Sequence, residues 1–523
     1  MDNTSGFFRK RSNVGFGLAV SALVLLYAGV FIARPYQLFA DDTYFYLQVA
    51  WNFARGMGST FNNIMPTNGY HPLWMLICAT VYKLVPSKPE GLHAIAVVIT
   101  ALDILMLWTV RRVLQRVAND FWVIAFVLLI PFCFLSQLGT EGALSGFFLS
   151  VLMITGYKMS TAPSTGRAFV FSLVAALTVL SRLDNIFIVG FVWVAVWIAL
   201  GEAGKQAGRR LQILMLPACV VLWGGYVGSN WIYFHTLQPI SGLLKSNSTV
   251  DHALGANLPH TAWFAMAIIV VCLAIVGLLK RDLFFRVVEV PFTLGVVCHC
   301  AYIVLKMSSE TRWSWYYTSW ILLAAVLLAR AGSILLQNKR WLAVPIASLC
   351  LLILVAAWVK LSYHKFYLGA DTRPPAAFND TVYMQAGIHS AFAYDQPGLL
   401  AYYSDLHIVP LDGLMGTLEF QHDLATKGIR GVAAAEHIDG FIGPTMPLDK
   451  GTMKLYCEQF FLSAEKLHCT PEANGTWQAK SVDVFSRVPS APAGTLVLDQ
   501  SQIVWNRKTS VTVWRIDPTV EAK

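Results

Sequence analysis

Apolar runs of about 16 to 24 residues recur along the chain, and their recurrence constrains the fold more than any other feature. They fall at 14–33, 92–110, 121–136, 142–157, 167–181, 185–200, 211–234, 261–279, 287–305, 316–330 and 341–359. A helix of roughly 20 apolar residues is what it takes to cross a hydrocarbon core of about 30 Å. The runs therefore predict a polytopic α-helical membrane protein with about eleven transmembrane helices. The charged share is only 13% and the hydrophobic share 56%, against roughly 25% charged residues in soluble domains, which excludes an ordinary soluble enzyme. The net charge of +9 comes from short Lys/Arg clusters between the runs, a pattern of membrane orientation that predicts no nucleic-acid partner.

The run from His71 to Val85 is short, opens on His71-Pro72 and carries Lys83, which suits an interfacial or re-entrant helix. With it left out of the span count, Arg111/Arg112/Arg116, Lys158/Arg167, Lys205/Arg209/Arg210, Lys280/Arg281/Arg286 and Arg330/Lys339/Arg340 all lie on the side of the N-terminus. The positive-inside rule then predicts a cytoplasmic N-terminus. Phe7-Phe8-Arg9-Lys10-Arg11 before the first run reads as a retained signal anchor. An odd number of spans puts the tail outside. Residues 361–523 have ordinary polarity and Gly/Pro punctuation, with β-like runs such as Gly431-Val432-Ala433-Ala434, and predict an extracytoplasmic α/β domain after a transmembrane domain of residues 1–360. The outer face then comprises loops 34–91, 235–260 and 306–315 and tight turns at 137–141 and 182–184. Seven of nine cysteines sit in apolar runs; Cys457 and Cys469 are left for an outer disulfide if the compartment is oxidising. Trp313, Trp315, Tyr316 and Tyr317 read as an interfacial aromatic belt.

Acids near the outer ends of the runs are few: Asp41, Asp42, Glu90, Glu141, Asp184, Asp251 and Glu310. An ionisable group there costs free energy unless it is paired or solvated, so each is a functional candidate. Asp41 and Asp42 are adjacent and open an amphipathic stretch, Thr43 to Arg55. Helical neighbours diverge by about 100°, so one carboxylate can face a cleft while the other caps the helix or binds a partner. Turn-forming residues follow in Gly56 to Asn62 and in Pro66-Thr67-Asn68-Gly69-Tyr70-His71-Pro72-Leu73-Trp74.

Ala40-Asp41-Asp42-Thr43-Tyr44-Phe45-Tyr46, together with Pro66 to Trp74, resembles the first outer loop of GT-C glycosyltransferases, the membrane superfamily that takes sugars from polyprenyl-phosphate carriers. It is similar to bacterial enzymes of the arabinofuranosyl-, mannosyl- and aminoarabinose-transferase type. Looser likenesses follow in Leu138 to Leu144, Ser181-Arg182-Leu183-Asp184, Gln238 to Ser246 and Asp405 to Gly413. The resemblance implies inverting transfer of a sugar, pentofuranose being favoured over hexose, from a polyprenyl-phosphate-linked donor to a glycan, lipid or protein acceptor. The reaction would take place among membrane lipids on the outer face of the plasma (inner) membrane. It implies Asp41 as the general base and Asp42 as its partner, positioning it or helping to hold the acceptor or a metal. Glu141 would support a sugar hydroxyl or, with Asp42, a divalent cation (Mg, Mn or Ca). Arg182, Lys245 and His71 are the foremost cations for the leaving phosphate, with Arg55, Lys306 and Arg312 also on that face, and Arg182 has the alternative of an internal ion pair with Asp184. Asn68 and Tyr70 complete the expected substrate-binding set. The competing class is a transporter or flippase for a lipid-linked or small polar substrate, because isolated charges also line transport paths; the long first loop, the outer domain and the lack of an internal repeat weigh against it.

Overall fold

A computed structural model describes residues 39–136, 138–202, 205–246, 260–307, 314–337, 387–393 and 397–444, with shorter stretches elsewhere, among them strands between 469 and 516. The expected spans at 14–33 and 341–359 fall largely outside the described residues. The other nine are all helical. Seven helices among the described residues are long and apolar enough to cross a membrane; those at Trp122–Ser136 and Thr165–Ser181 are apolar but shorter. The chain is a polytopic helical membrane protein.

The first outer loop folds as α1 (Asp41–Ala54) and α2 (Pro72–Leu84), packed on each other. At 13 residues α2 reaches about 20 Å, too short for a span. It buries Trp74, Met75, Cys78, Ala79 and Tyr82 while Leu76 and Leu84 stay exposed, as an amphipathic helix on a membrane surface does. The next helix, α3 (Lys88–Val117), starts on a Ser87 cap whose hydroxyl accepts from the Glu90 amide, filling one of the unsatisfied N–H groups of the first turn.

Beyond residue 386 the described residues form an α/β unit. Strands β1 (Ser390–Ala393), β2 (His407–Pro410) and β3 (Gly440–Pro444) run parallel with β1 in the centre, and Val511–Ile516 and Phe485–Arg487 extend the sheet antiparallel beyond β3. The expected strand at 431–434 is corrected. Those residues lie in the part of helix Leu418–Glu436 that follows a break in helical geometry at Gly428, where three consecutive alanines outweigh the single β-branched Val432.

This unit sits on the first outer loop. A seven-residue helix, α4 (Pro397–Tyr403), lies against α1. Tyr402 donates its hydroxyl to the Lys88 carbonyl at 2.6 Å, and Lys88 Nζ donates to the Tyr402 carbonyl at 2.7 Å. With the Tyr402 proton so used, Tyr82 must donate across the 2.6 Å contact between their hydroxyls. Tyr44, Tyr82, Leu400, Tyr402 and Ile408 belong to one buried apolar cluster joining loop and domain.

At the opposite end of the bundle, Arg330 is fully buried. Its guanidinium meets Glu289 at 3.1 Å, Asp282 at 3.0 Å and the Val117 carbonyl at 2.7 Å. Removing one partner of a buried charge pair typically costs about 3–5 kcal/mol, because the other charge is stranded. Arg330→Met is therefore expected to lower the melting temperature in detergent clearly, and adding Glu289→Gln should recover part of the loss; an unchanged melting temperature would contradict this.

Candidate active site

Every segment expected on the outer face that the structure describes converges on one cavity of about 280 Å³. Its wall includes Asp42, Tyr46, Tyr70, His71, Glu141, Arg182, Asp184, Lys245, Tyr316 and Leu414. Residues from five loops and the terminal domain thus meet at one end of the bundle.

Asp42 reaches the cavity and Asp41 does not. Asp41 accepts from the Leu399 amide at 2.7 Å and the Gly398 amide at 3.4 Å, the first N–H groups of α4, since Pro397 has none. Burial raises the Asp41 pKa well above the usual carboxylate value, and the two accepted amides work against the rise. Gly398 is required there: a Cβ would stand 2.5 Å from the Asp41 carbonyl oxygen. The 100° between helical neighbours sends Asp42 into the cavity, and Asp41, expected as the base, into the docked domain. The Asp42 carboxylate lies 3.8 Å from Lys245 Nζ and is 29% exposed. Burial raises its pKa above the usual carboxylate value, Lys245 works against the rise and Glu141 adds to it.

Glu141 holds the far wall. One oxygen meets Arg182 Nη1 and lies 3.6 Å from His71 Nε2, and the other accepts from Tyr46 at 2.9 Å. Burial alone would raise the Glu141 carboxyl; His71 and Arg182 together hold it below the usual range. His71 Nδ1 accepts the Leu183 amide at 3.2 Å, so the ring proton sits on Nε2 facing Glu141. Burial lowers the His71 pKa, and the ring adds an N–H dipole where Arg182 adds a full charge. Arg182 also clamps Asp184 through Nε at 2.8 Å and Nη2 at 2.9 Å, with the Tyr316 ring 4.2 Å away. Asp184 is held from behind by His299 Nε2 at 3.0 Å. The Trp320 indole donates to His299 Nδ1 at 3.3 Å, which leaves the proton on Nε2. Arg182 therefore lines the cavity as the centre of an internal ion network, and Lys245 pairs with Asp42, with Asp412 adding a weaker attraction.

Asn68 supports the site from behind. Its Oδ1 accepts the Ile240 amide at 3.0 Å and its Nδ2 donates to Thr236 at 3.1 Å. This fixes the start of the short helix Ile240–Ser246 that carries Lys245. Asn68 does not line the cavity, and its side chain is engaged in holding that helix. Tyr70 does line it, its hydroxyl 2.5 Å from Ser59.

Asp412, within the loosely matching segment Asp405 to Gly413, also carries a charge felt at the site. Its Oδ1 accepts the Leu414 amide at 2.9 Å, and burial first, then Asp42, pushes its pKa to about 7. The Leu-Asp-Gly segment was visible, but only the fold brings it to Asp42: a Cβ on Gly69 would stand 1.9 Å from the Leu414 carbonyl, so loop and domain touch backbone to backbone. Trp315 and Tyr316, expected in the aromatic belt, line the cavity, and Tyr317 is fully buried. Arg55 stacks on Trp51 at 3.9 Å and donates to Pro86, away from the cavity, and Lys306 is exposed. Trp313, Arg312, Asp251, Glu310 and Cys457 lie outside the described residues.

Asp42 and Glu141 do not fit a divalent cation. Both Glu141 oxygens are taken by donors, a lysine stands beside Asp42, and among the described residues no three His, Cys, Asp or Glu side chains form a metal-binding group.

No protein-family model matches the sequence, and no curated protein matches it. Among solved structures, the crystal structure of ArnT from Cupriavidus metallidurans bound to undecaprenyl phosphate matches with a TM-score of 0.51 and 12% identity, over 96% of this chain and 98% of that one. The chain has the ArnT fold. The same protein in its apo state matches with a TM-score of 0.48 and 12% identity, over 96% of this chain and 99% of that one. The bound-state match runs across nearly the whole of both chains.

One pH dependence follows from the pair Asp42 and Asp412. Both pKa values are raised, so the folded protein binds protons more tightly there than the unfolded chain, and stability contributed by these groups falls as pH rises from about 4 to about 7. Asp412→Asn is expected to flatten that fall and raise the melting temperature above pH 7. A melting profile from pH 5 to 8 identical to wild type would contradict it.

Proposed function

We propose that this protein is an inverting glycosyltransferase that moves a sugar from a polyprenyl-phosphate carrier to a cell-envelope glycan, lipid or protein acceptor. The observation that carries the reading is the cavity where Asp42 and Lys245 face each other at 3.8 Å on an ArnT-like fold. Undecaprenyl phosphate is bound in that ArnT structure, and its chemistry suits the pair. Asp42 takes the proton of the acceptor hydroxyl, and its raised pKa places the base nearer to neutral pH, where proton transfer is most effective. Lys245 stabilises the leaving phosphate. Without substrate the two neutralise each other. An entering phosphate draws Lys245 away, which frees the Asp42 carboxylate at the moment the donor is in place. Arg182, already facing two carboxylates, shapes the wall and contributes little net charge.

The active site faces outward in the plasma membrane, with a cytoplasmic N-terminus and the terminal domain outside, as the placement of the basic clusters supports. Pentofuranose is the favoured sugar on the likeness to arabinofuranosyltransferases in the first loop. The reading is tested by linkage analysis of surface glycans and quantification of lipid-linked sugars in a deletion strain, its complement and an Asp42→Asn strain. Loss of one sugar with accumulation of its polyprenyl-phosphate form in the deletion and Asp42→Asn strains is expected; unchanged glycans and carriers in all strains would overturn the reading.

A further inference from the structure

A second cavity, of about 130 Å³, lies between the first outer loop and the terminal domain and shares no lining residue with the first. Three of its lining side chains end in buried polar atoms with no hydrogen-bond partner: Gln48 Oε1, Asn62 Nδ2 and Ser404 Oγ. These residues are 8%, 2% and 6% exposed, so solvent does not satisfy them from outside. The orientation of Asn62 is fixed, because its Oδ1 accepts the Ile64 and Met65 amides, each at 3.0 Å, and only the amide nitrogen is left to point elsewhere. Its main-chain carbonyl accepts from His407 Nδ1 at 2.8 Å, which ties the loop to β2 across the cavity.

Buried polar groups left unpaired cost free energy, and a fold keeps them where a ligand supplies the partners. Here one group must accept, one must donate and one, the Ser404 hydroxyl, can do both. A ligand that answers all three carries groups that each donate and accept, which is the property of hydroxyls. The ionisable groups lining the cavity are Lys88, Asp405 and His407; burial lowers the Lys88 pKa to about 8 and Asp405 opposes the fall, so one weakened cation stands against one carboxylate, which favours a neutral ligand over a phosphate or carboxylate.

We propose that this cavity binds a neutral saccharide unit, a part of the acceptor glycan held at a distance from the reacting hydroxyl. The place of that unit in the acceptor rests on the transferase reading; the binding itself does not. The test is saturation-transfer NMR on the full-length protein in lipid nanodiscs, using methyl glycosides of neutral pentoses and hexoses one at a time. Saturation transfer to at least one glycoside is expected, and it should persist in Asp42→Asn. Affinity should fall roughly tenfold or more in Gln48→Met/Ser404→Ala, which keeps side-chain size but removes two hydrogen-bonding groups. Should that variant not fold, Asn62→Asp retains the two accepted amides, replaces the donor and should weaken binding likewise. Transfer to none of the glycosides would overturn the proposal, leaving a cavity that holds water alone. So would binding unaffected by Gln48→Met/Ser404→Ala, which would place the sugar elsewhere, the larger cavity included. Glycoside binding by a protein whose Asp42→Asn strain has unchanged glycans would refute sugar transfer and leave this site standing.

Discussion

Asp42→Asn is expected to lower the rate of sugar transfer roughly a hundred- to ten-thousand-fold, the usual contribution of a positioned general base. The replacement keeps the shape of the side chain and its place beside Lys245, so the protein should fold and bind donor as before. The loss should appear in kcat, with KM for the donor little changed. Asp41→Asn is the informative contrast. Asp41 accepts the first two amides of α4, and its replacement weakens the attachment of the terminal domain to α1. It should lower thermal stability, with activity falling only as far as the domain loosens. Steady-state kinetics on both variants separate these outcomes; a larger kcat loss for Asp41→Asn at unchanged stability would return the base to Asp41.

Arg182→Met carries the second large effect. Arg182 is 2% exposed and satisfies Glu141 and Asp184 at once. Its removal strands two carboxylates in a buried wall, a change that typically costs about 3–5 kcal/mol, and it also removes the cation over the Tyr316 ring, worth about 0.5–2 kcal/mol. The variant is expected to give little monodisperse protein in detergent. Adding Glu141→Gln and Asp184→Asn removes the stranded charges, and because the three side chains form one network the triple variant should melt higher than the single one. Size-exclusion profiles and melting curves of the two decide the matter; equal behaviour would mean that the network does not hold this wall together.

The membrane architecture was legible because each span declares itself by a local property, a run of apolar residues of sufficient length. All nine spans that fall within the described residues are helices, and α2 is the short helix that His71-Pro72 and Lys83 indicated. The site was legible only in part. The acidic pair marked itself by adjacency, but which member faces the cavity depends on the docking of α4, hundreds of residues away in the chain. Asp412 and His299 could not be assigned for the same reason: nothing local tells a carboxylate or an imidazole which distant charge it will meet. Arg182 was visible beside Asp184, yet its second partner, Glu141, comes from a different turn. Residues 431–434 differ for another reason: a four-residue run that ends in two alanines carries too little pattern to tell strand from helix.

The most direct test of sugar transfer uses purified protein in proteoliposomes with the polyprenyl-phosphate sugar extracted from the deletion strain. Released polyprenyl phosphate and the mass of the acceptor are followed by mass spectrometry. The proposed reaction predicts that carrier phosphate appears in step with one added sugar per acceptor, and that Asp42→Asn abolishes both. An intact lipid-linked sugar that merely changes leaflet, at the same rate in wild type and Asp42→Asn, would contradict it and identify a flippase instead.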